Sequence, residues 1–188
     1  MQASEIFLTF DDGPHPTATR EVLTVLESHN VVATFFLSGC NISGNESLVQ
    51  DIASAGHAIG IHAYTHTRAL VFSEKKTRHE IQTTERAISA LVPLRSKLFR
   101  PPFGFFSWNT ITAARKLEYK LIMWSCLTGD FRTHRSNKQI ISTATKKLSG
   151  GDILVFHDND VTKHRIAAIL HDTIQFIKDS GFSFGIIT

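Results

Sequence analysis

Along the chain, short unbroken apolar runs alternate with longer stretches in which apolar residues recur every three or four positions. The runs fall at 5–10, 31–37, 58–61, 97–99, 120–124, 153–156 and 182–187. Rich in β-branched and aromatic residues, they predict strands buried on both faces, as in a parallel sheet. The periodic stretches predict helices over 16–29, 46–54, 75–91, 107–117, 137–148 and 161–180, with Thr17 or Thr19 capping the first. Pro93 and the pair Gly150-Gly151 punctuate the pattern. Seven strands alternating with helices imply right-handed crossovers and an α/β fold. Closure into a barrel is the most economical arrangement, and an open doubly wound sheet is the alternative.

The polar residues that interrupt this pattern are not scattered. Asp11, Asp12, His62, His66, Arg100, Asp130 and His157 all fall at or just after the C-terminal end of a predicted strand. In parallel barrels that rim carries the chemistry. Asp11 and Asp12 close the first strand side by side, where two carboxylates repel unless a cation or a basic residue takes up the charge.

Composition narrows the picture only a little. The 188 residues suit one domain, expected to span 1–188, with 42% hydrophobic and 20% charged residues, ordinary for a folded soluble chain. A net charge of +3 and a pI near 9.0 are mildly basic. No Lys/Arg block is long enough to follow a nucleic acid, and no apolar run approaches the ~20 residues of a membrane span. No charged segment leading into an apolar one precedes the first strand, so no secretory signal is visible. Cys40 and Cys126 form neither a disulfide framework nor a metal-binding spacing, and are expected to be buried free thiols.

The rim residues suggest a reaction. His62 and His66 can reach one metal ion together with Asp12, a donor set that suits Zn²⁺, Co²⁺ or a related ion with one position open to water. Asp11 then lies beside the activated water as a general base, and Arg100 can orient it through a charge-assisted pair. Pro101-Pro102 stiffens the following loop and leaves the Phe103 N–H free to point at a developing oxyanion. His157 is the available general acid, with Asp130 as its partner.

Five motifs in order make the chain resemble the polysaccharide deacetylases of carbohydrate esterase family 4. They are Thr9-Phe10-Asp11-Asp12-Gly13, His62-Ala63-Tyr64-Thr65-His66, Arg100-Pro101-Pro102-Phe103-Gly104, the segment from Trp124 to Phe131 around Asp130, and Leu154-Val155-Phe156-His157. The resemblance implies a distorted (β/α)7 barrel with its active site at the C-terminal strand ends. It implies Asp11 as base, Asp12, His62 and His66 as metal ligands, Arg100 orienting Asp11, and the Phe103 backbone at the oxyanion. It further implies His157 as acid tuned by Asp130, Leu154 lining the acetyl pocket, and an extracellular or cell-envelope location. The chain departs from the family pattern at Ala63, where Ser or Thr is usual, at Phe103 for a frequent Tyr, and at Leu127 and Phe131.

The implied partner is an N-acetylated glycan, chitin-like or peptidoglycan, acted on by a monomer. Phe105, Phe106 and Trp108 follow the third motif and are candidates for a sugar-stacking face, with Pro102 beside them. The rival readings are an O-deacetylase, a small-amide hydrolase and a carbohydrate-binding pseudoenzyme. Binding alone needs neither a base nor an acid, which argues against the last.

Overall fold

In a computed structural model, residues 4–188 are described, and the expected alternation is present. The elements in order are β1 (Glu5–Asp11), α1 (Ala18–Ser28), β2 (Thr34–Leu37), α2 (Glu46–Ser54), β3 (Ala58–Ile61), α3 (Glu74–Ser89), β4 (Leu98–Phe99) and α4 (Trp108–Lys116). They continue with β5 (Lys120–Leu121), β6 (Cys126–Leu127), α5 (Asn137–Thr145), β7 (Ile153–His157), α6 (Ile166–Asp179) and β8 (Ser183–Phe184). The strands pair in the order β5-β4-β3-β2-β1-β7-β6, every pair parallel, and form the curled α/β sheet of a distorted barrel. Among the described residues β5 and β6 do not pair, so the barrel is open between them. No helix is long and apolar enough to cross a membrane.

Two features depart from the seven-strand expectation. The run at 120–124 shortens to β5, and a separate strand, β6, pairs Cys126 and Leu127 with Leu154 and Val155 of β7. The last strand does not follow β6 at the edge. Ser183 and Phe184 of β8 pair instead with Glu5 and Ile6, the start of β1, whose far end pairs with β2 from Thr9 to Asp11.

Strand alternation sorts β1 into two faces. Ile6, Leu8 and Phe10 pack under the helices, in one cluster with Val22 and Leu26 of α1, Ile52 of α2, Ile81 and Ile88 of α3, Ile140 of α5 and Ile169, Leu170 and Ile174 of α6. Phe10 stacks on Phe35 at 4.9 Å between ring centroids. Thr9 and Asp11 face the other way, into the curl of the sheet, where the fully buried Arg100 meets them. The apolar outer layer fixes the strands, and the polar inner face is thereby left for a site.

The caps explain small shifts at helix ends. The Thr17 side chain makes no cap bond, and the Thr19 hydroxyl is drawn away to Asp158, so neither caps α1. The His15 ring accepts from the N–H groups of Thr17 and Ala18 instead. Ser107 and Ser136 form capping boxes at the heads of α4 and α5. Neither cysteine is the buried thiol expected. Cys40 is exposed in the short 3₁₀ turn Gly39–Asn41, and Cys126 is half-buried because β6 is an edge strand.

Candidate active site

The C-terminal ends of β1, β3, β4, β6 and β7 feed a cavity of about 520 Å³, lined by Asp11, Asp12, His62, His66 and His157 and walled by Phe103, Phe105, Trp124 and Phe131. Register explains the meeting: Asp11 pairs with His157 across β1 and β7, and Ile61, one residue before His62, pairs with Phe99, one before Arg100. Chain segments far apart in sequence thus end level on one rim.

Three side chains converge. Donor atoms of Asp12, His62 and His66 all lie within 4.8 Å of one another. Asp12 Oδ1 stands 3.5 Å from His62 Nε2 and 3.3 Å from His66 Nε2, and it is buried with no hydrogen-bond partner. A buried carboxylate oxygen without a partner is costly, and a cation between these atoms would satisfy it. His62 Nδ1–H donates to the Arg100 carbonyl at 2.8 Å, which turns the Nε2 lone pair toward Asp12. Burial first, only partly opposed by Asp12, lowers the pKa of His66 and favours the neutral ring that a metal ligand needs. Burial pushes Asp12 upward, but His62, His157, His66 and the Asn159 hydrogen bond outweigh it and hold it below the ordinary carboxylate range. Two imidazoles and one carboxylate fit a divalent transition metal.

Two further pairs flank this cluster. Arg100 Nη1 donates to Asp11 Oδ1 and to Thr9 Oγ1, each at 2.7 Å, and the guanidinium lies over the Phe36 ring at 4.1 Å. With Oδ1 held there, Asp11 Oδ2 is left for the cavity. Opposite, Asp130, fully buried, accepts from His157 Nδ1–H at 2.8 Å and from the His157 backbone N–H at 2.7 Å. Burial lowers the His157 pKa, but the charge and hydrogen bond of Asp130, helped by Asp11 and Asp12, carry it up to about 9. At neutral pH His157 therefore holds a proton, and with Nδ1 on Asp130 the proton available to the cavity sits on Nε2.

Backbone strain gathers at the same place. Of the five non-glycine residues with positive φ among the described residues, three are Asp12 (82°), Ala63 (68°) and Phe103 (59°), all on this rim. Beyond Phe103, the N–H groups of Gly104 and Phe105 bond to the Pro101 and Pro102 carbonyls. Gly104 itself is required, since a Cβ there would lie 2.3 Å from the Trp124 ring.

The geometry also shows residues that sequence reasoning missed. Asn159 Nδ2 donates to Asp12 Oδ2 at 2.7 Å, while its Oδ1 accepts from the Val161 and Thr162 N–H groups, so the amide cannot turn over. Glu80 of α3 accepts from the N–H groups of Tyr64 and Thr65 and from the Thr65 hydroxyl, clamping the loop between His62 and His66. Asp158, fully buried, accepts from the Gly13 N–H, and a Cβ on Gly13 would stand 2.2 Å from its Oδ2.

Some expected site residues are elsewhere. Leu154 packs in the core under the helices, because its offset of three from His157 puts it on the other face of β7. Trp108 is 81% exposed and Phe106 49%, and Pro102 is buried; none of the three lines the cavity. Phe105 does line it, and Trp124 and Phe131 complete the aromatic wall.

A trio able to hold a metal ion, at the C-terminal rim of a parallel half-barrel and between a held carboxylate and a histidine paired with Asp130, has the form of a hydrolytic metal centre. A family model described as polysaccharide deacetylase matches residues 1–122. The chain belongs to that family, carbohydrate esterase family 4. It is 32% identical over 183 residues to a peptidoglycan-N-acetylglucosamine deacetylase of Bacillus cereus, covering 95% of this chain and 84% of the relative. It spans 47% of a second, longer deacetylase from the same organism, at 37% identity over 129 residues. A solved peptidoglycan N-acetylglucosamine deacetylase superimposes with a TM-score of 0.92 at 30% identity, covering 99% of this chain and 87% of the other. A pseudoenzyme of the same family from Bacillus anthracis superimposes with a TM-score of 0.87 at 26% identity, covering 99% and 64%.

Proposed function

We propose that residues 1–188 act as one catalytic domain that removes N-acetyl groups from N-acetylglucosamine units of an oligo- or polysaccharide. The observation that carries this reading is the buried, unpartnered Asp12 Oδ1 facing two histidine nitrogens, set between the Asp11–Arg100 and His157–Asp130 pairs. Asp12, His62 and His66 would hold Zn²⁺, Co²⁺ or a similar ion, which when bound supplies Lewis acidity toward the acetyl carbonyl and the attacking water.

The chain's own groups carry the proton traffic. Asp11 Oδ2 takes a proton from the water as its oxygen bonds to the carbonyl carbon, and Arg100 keeps the carboxylate aimed. The Phe103 N–H, for which no partner is found among the described residues, would donate to the developing oxyanion. His157 Nε2–H then protonates the sugar nitrogen as the C–N bond breaks, and acetate and a free amine leave. Relatives described as peptidoglycan-N-acetylglucosamine deacetylases support the amide over the ester substrate. The complete base and acid pairs support turnover over the pseudoenzyme reading.

The test is acetate release from N-acetylglucosamine oligomers by metal-stripped protein, before and after Zn²⁺ or Co²⁺ is restored. Release should depend on metal, and Asp11→Asn should lower it by about 10²–10⁴-fold, the usual size of a general-base contribution. Release from acetate esters but not from these amides would move the reading to an O-deacetylase.

A further inference from the structure

His29 and His171 meet away from the cavity, and neither lines it. His29 closes the C-terminal end of α1 and His171 lies within α6, so the contact joins two neighbouring helices of the outer layer. His29 is half-buried and His171 exposed. His29 Nε2 stands 2.9 Å from His171 Nδ1, the ring centroids are 4.7 Å apart, and the ring planes are inclined at 61°. Among the described residues neither ring has another hydrogen-bond partner, and no Asp, Glu, Cys or further His lies close enough to join them.

These distances do not describe a straight hydrogen bond. A ring nitrogen lies ~1.15 Å from its centroid, so a straight N–H···N bond of this length would put the centroids about 5.2 Å apart. The observed separation is shorter, so the rings lean together on one side and their lone pairs converge on the other. Two imidazoles at a right angle on one ion, each bonded at ~2.05 Å, have nitrogens about 2.9 Å and centroids about 4.5 Å apart; at the tetrahedral angle the values are about 3.3 Å and 5.2 Å. The pair fits the right angle on both measures. The cavity trio fits the wider angle instead, with Asp12 Oδ1 at 3.5 and 3.3 Å from its two histidine nitrogens and the His62 and His66 centroids 5.3 Å apart. Right-angled coordination by imidazole is the habit of Cu²⁺ and Ni²⁺.

The position also draws cations. The last carbonyls of α1 carry the negative end of its dipole, and Lys178 Nζ already donates to the His29 carbonyl. Burial, then the His171 ring and the Lys178 charge, lowers the His29 pKa and keeps that ring unprotonated at neutral pH, as a ligand must be. We propose that His29 and His171 form a second metal site, a two-imidazole clip that takes Cu²⁺ or Ni²⁺, with water at the remaining positions, and bridges the end of α1 to α6. The proton between the rings moves to the far nitrogen of its own ring, so both imidazoles bind as neutral ligands. The site uses no group of the cavity and stands independently of the deacetylase reading.

The probe is Cu²⁺ added to the protein in the presence of Zn²⁺. Because Cu²⁺ outcompetes Zn²⁺ at most nitrogen sites, the position of the bound ion is read rather than its amount alone. Amide resonances at 27–30 and at 170–173 should broaden together at the lowest Cu²⁺ concentrations. In H29Q/H171Q, with an unchanged far-UV spectrum, that broadening should need at least tenfold more Cu²⁺. K178Q, which removes the repelling charge, should bind about threefold more tightly or better. Broadening confined to 62–66, broadening on one helix only, or broadening at both helices undiminished in H29Q/H171Q would overturn the proposal.

Discussion

Asn159 shows how much of this site depends on a residue that touches no reacting atom. Its amide is pinned by two backbone N–H groups on one end and spends the other on Asp12 Oδ2, which leaves Oδ1 as the free oxygen facing His62 and His66. Partners of metal ligands commonly contribute 10–100-fold in affinity, on the order of 1–3 kcal/mol. Asn159→Ala should therefore weaken Zn²⁺ binding by about 10–100-fold in a chelator competition, with the far-UV spectrum unchanged. An affinity equal to wild type would mean that Asp12 is oriented by its strained backbone alone. Nothing in the residue type announced this role. Asn159 follows His157-Asp158 directly, but only the crossing from β7 to β1 reveals that its amide reaches Asp12. That Asp11, Asp12, His62, His66, Arg100, Asp130 and His157 meet was legible because parallel strands deliver their last residues to one rim. That His29 meets His171 was not, because the setting of α1 against α6 leaves no period in the sequence. Leu154 was misplaced for a reason the sequence does contain: an offset of three along a strand reverses the face.

At the scale of elements, the histidine loop is held by α3 rather than by its own sequence. Glu80 is nearly buried and accepts three hydrogen bonds from Tyr64 and Thr65, while Gly39 and Cys40 N–H groups bond to the Ala63 and Tyr64 carbonyls from the other side. The close approach at Gly39 leaves no space for a Cβ, which would stand 2.5 Å from the Tyr64 ring. Glu80→Ala strands two backbone donors and should cost about 2–3 kcal/mol in urea denaturation, the range for hydrogen bonds to a charged group. Amide exchange at 64–67 should rise more than elsewhere, and exchange that rises uniformly would show a general loss of packing instead. The same scale explains what the pattern could and could not foretell. Long amphipathic helices and the runs at β1, β2, β3 and β7 were read correctly in kind, since a buried face repeats enough times to register. β5 keeps only the first two residues of the run expected at 120–124, and the two-residue strand β6, which exists through backbone pairing with β7, carries no period to detect. The last helix begins at Ile166 rather than near 161, because Asn159 and Thr162 spend the intervening residues on a turn that secures Asp12.

For the molecule as a whole, one source of acid sensitivity should lie at the end of the barrel away from the candidate site. His57, just before β3, is 9% exposed, and its Nδ1 accepts the Ala33 N–H at 3.2 Å in front of β2. Burial pushes its pKa from 6.5 down to about 4. Asp158, raised by burial to about 8, gains stability as pH falls. Between 6.5 and 4, by contrast, His57 binds a proton in the unfolded chain and not in the folded one, so its own contribution falls as pH drops through that window and is fully present only above about 6.5. A shift of this size corresponds to about 3 kcal/mol lost by pH 4. His157 runs the other way. Raised to about 9, it adds stability below 6.5 and loses it as pH rises toward 9, so it cannot produce the acid limb. Urea titrations of metal-free protein from pH 7 to pH 4 should therefore show the wild type losing about 3 kcal/mol relative to His57→Asn, whose side-chain oxygen can still accept the Ala33 N–H without titrating. Parallel curves for the two proteins would remove His57 as a source and move the acid sensitivity to the carboxylates of the candidate site.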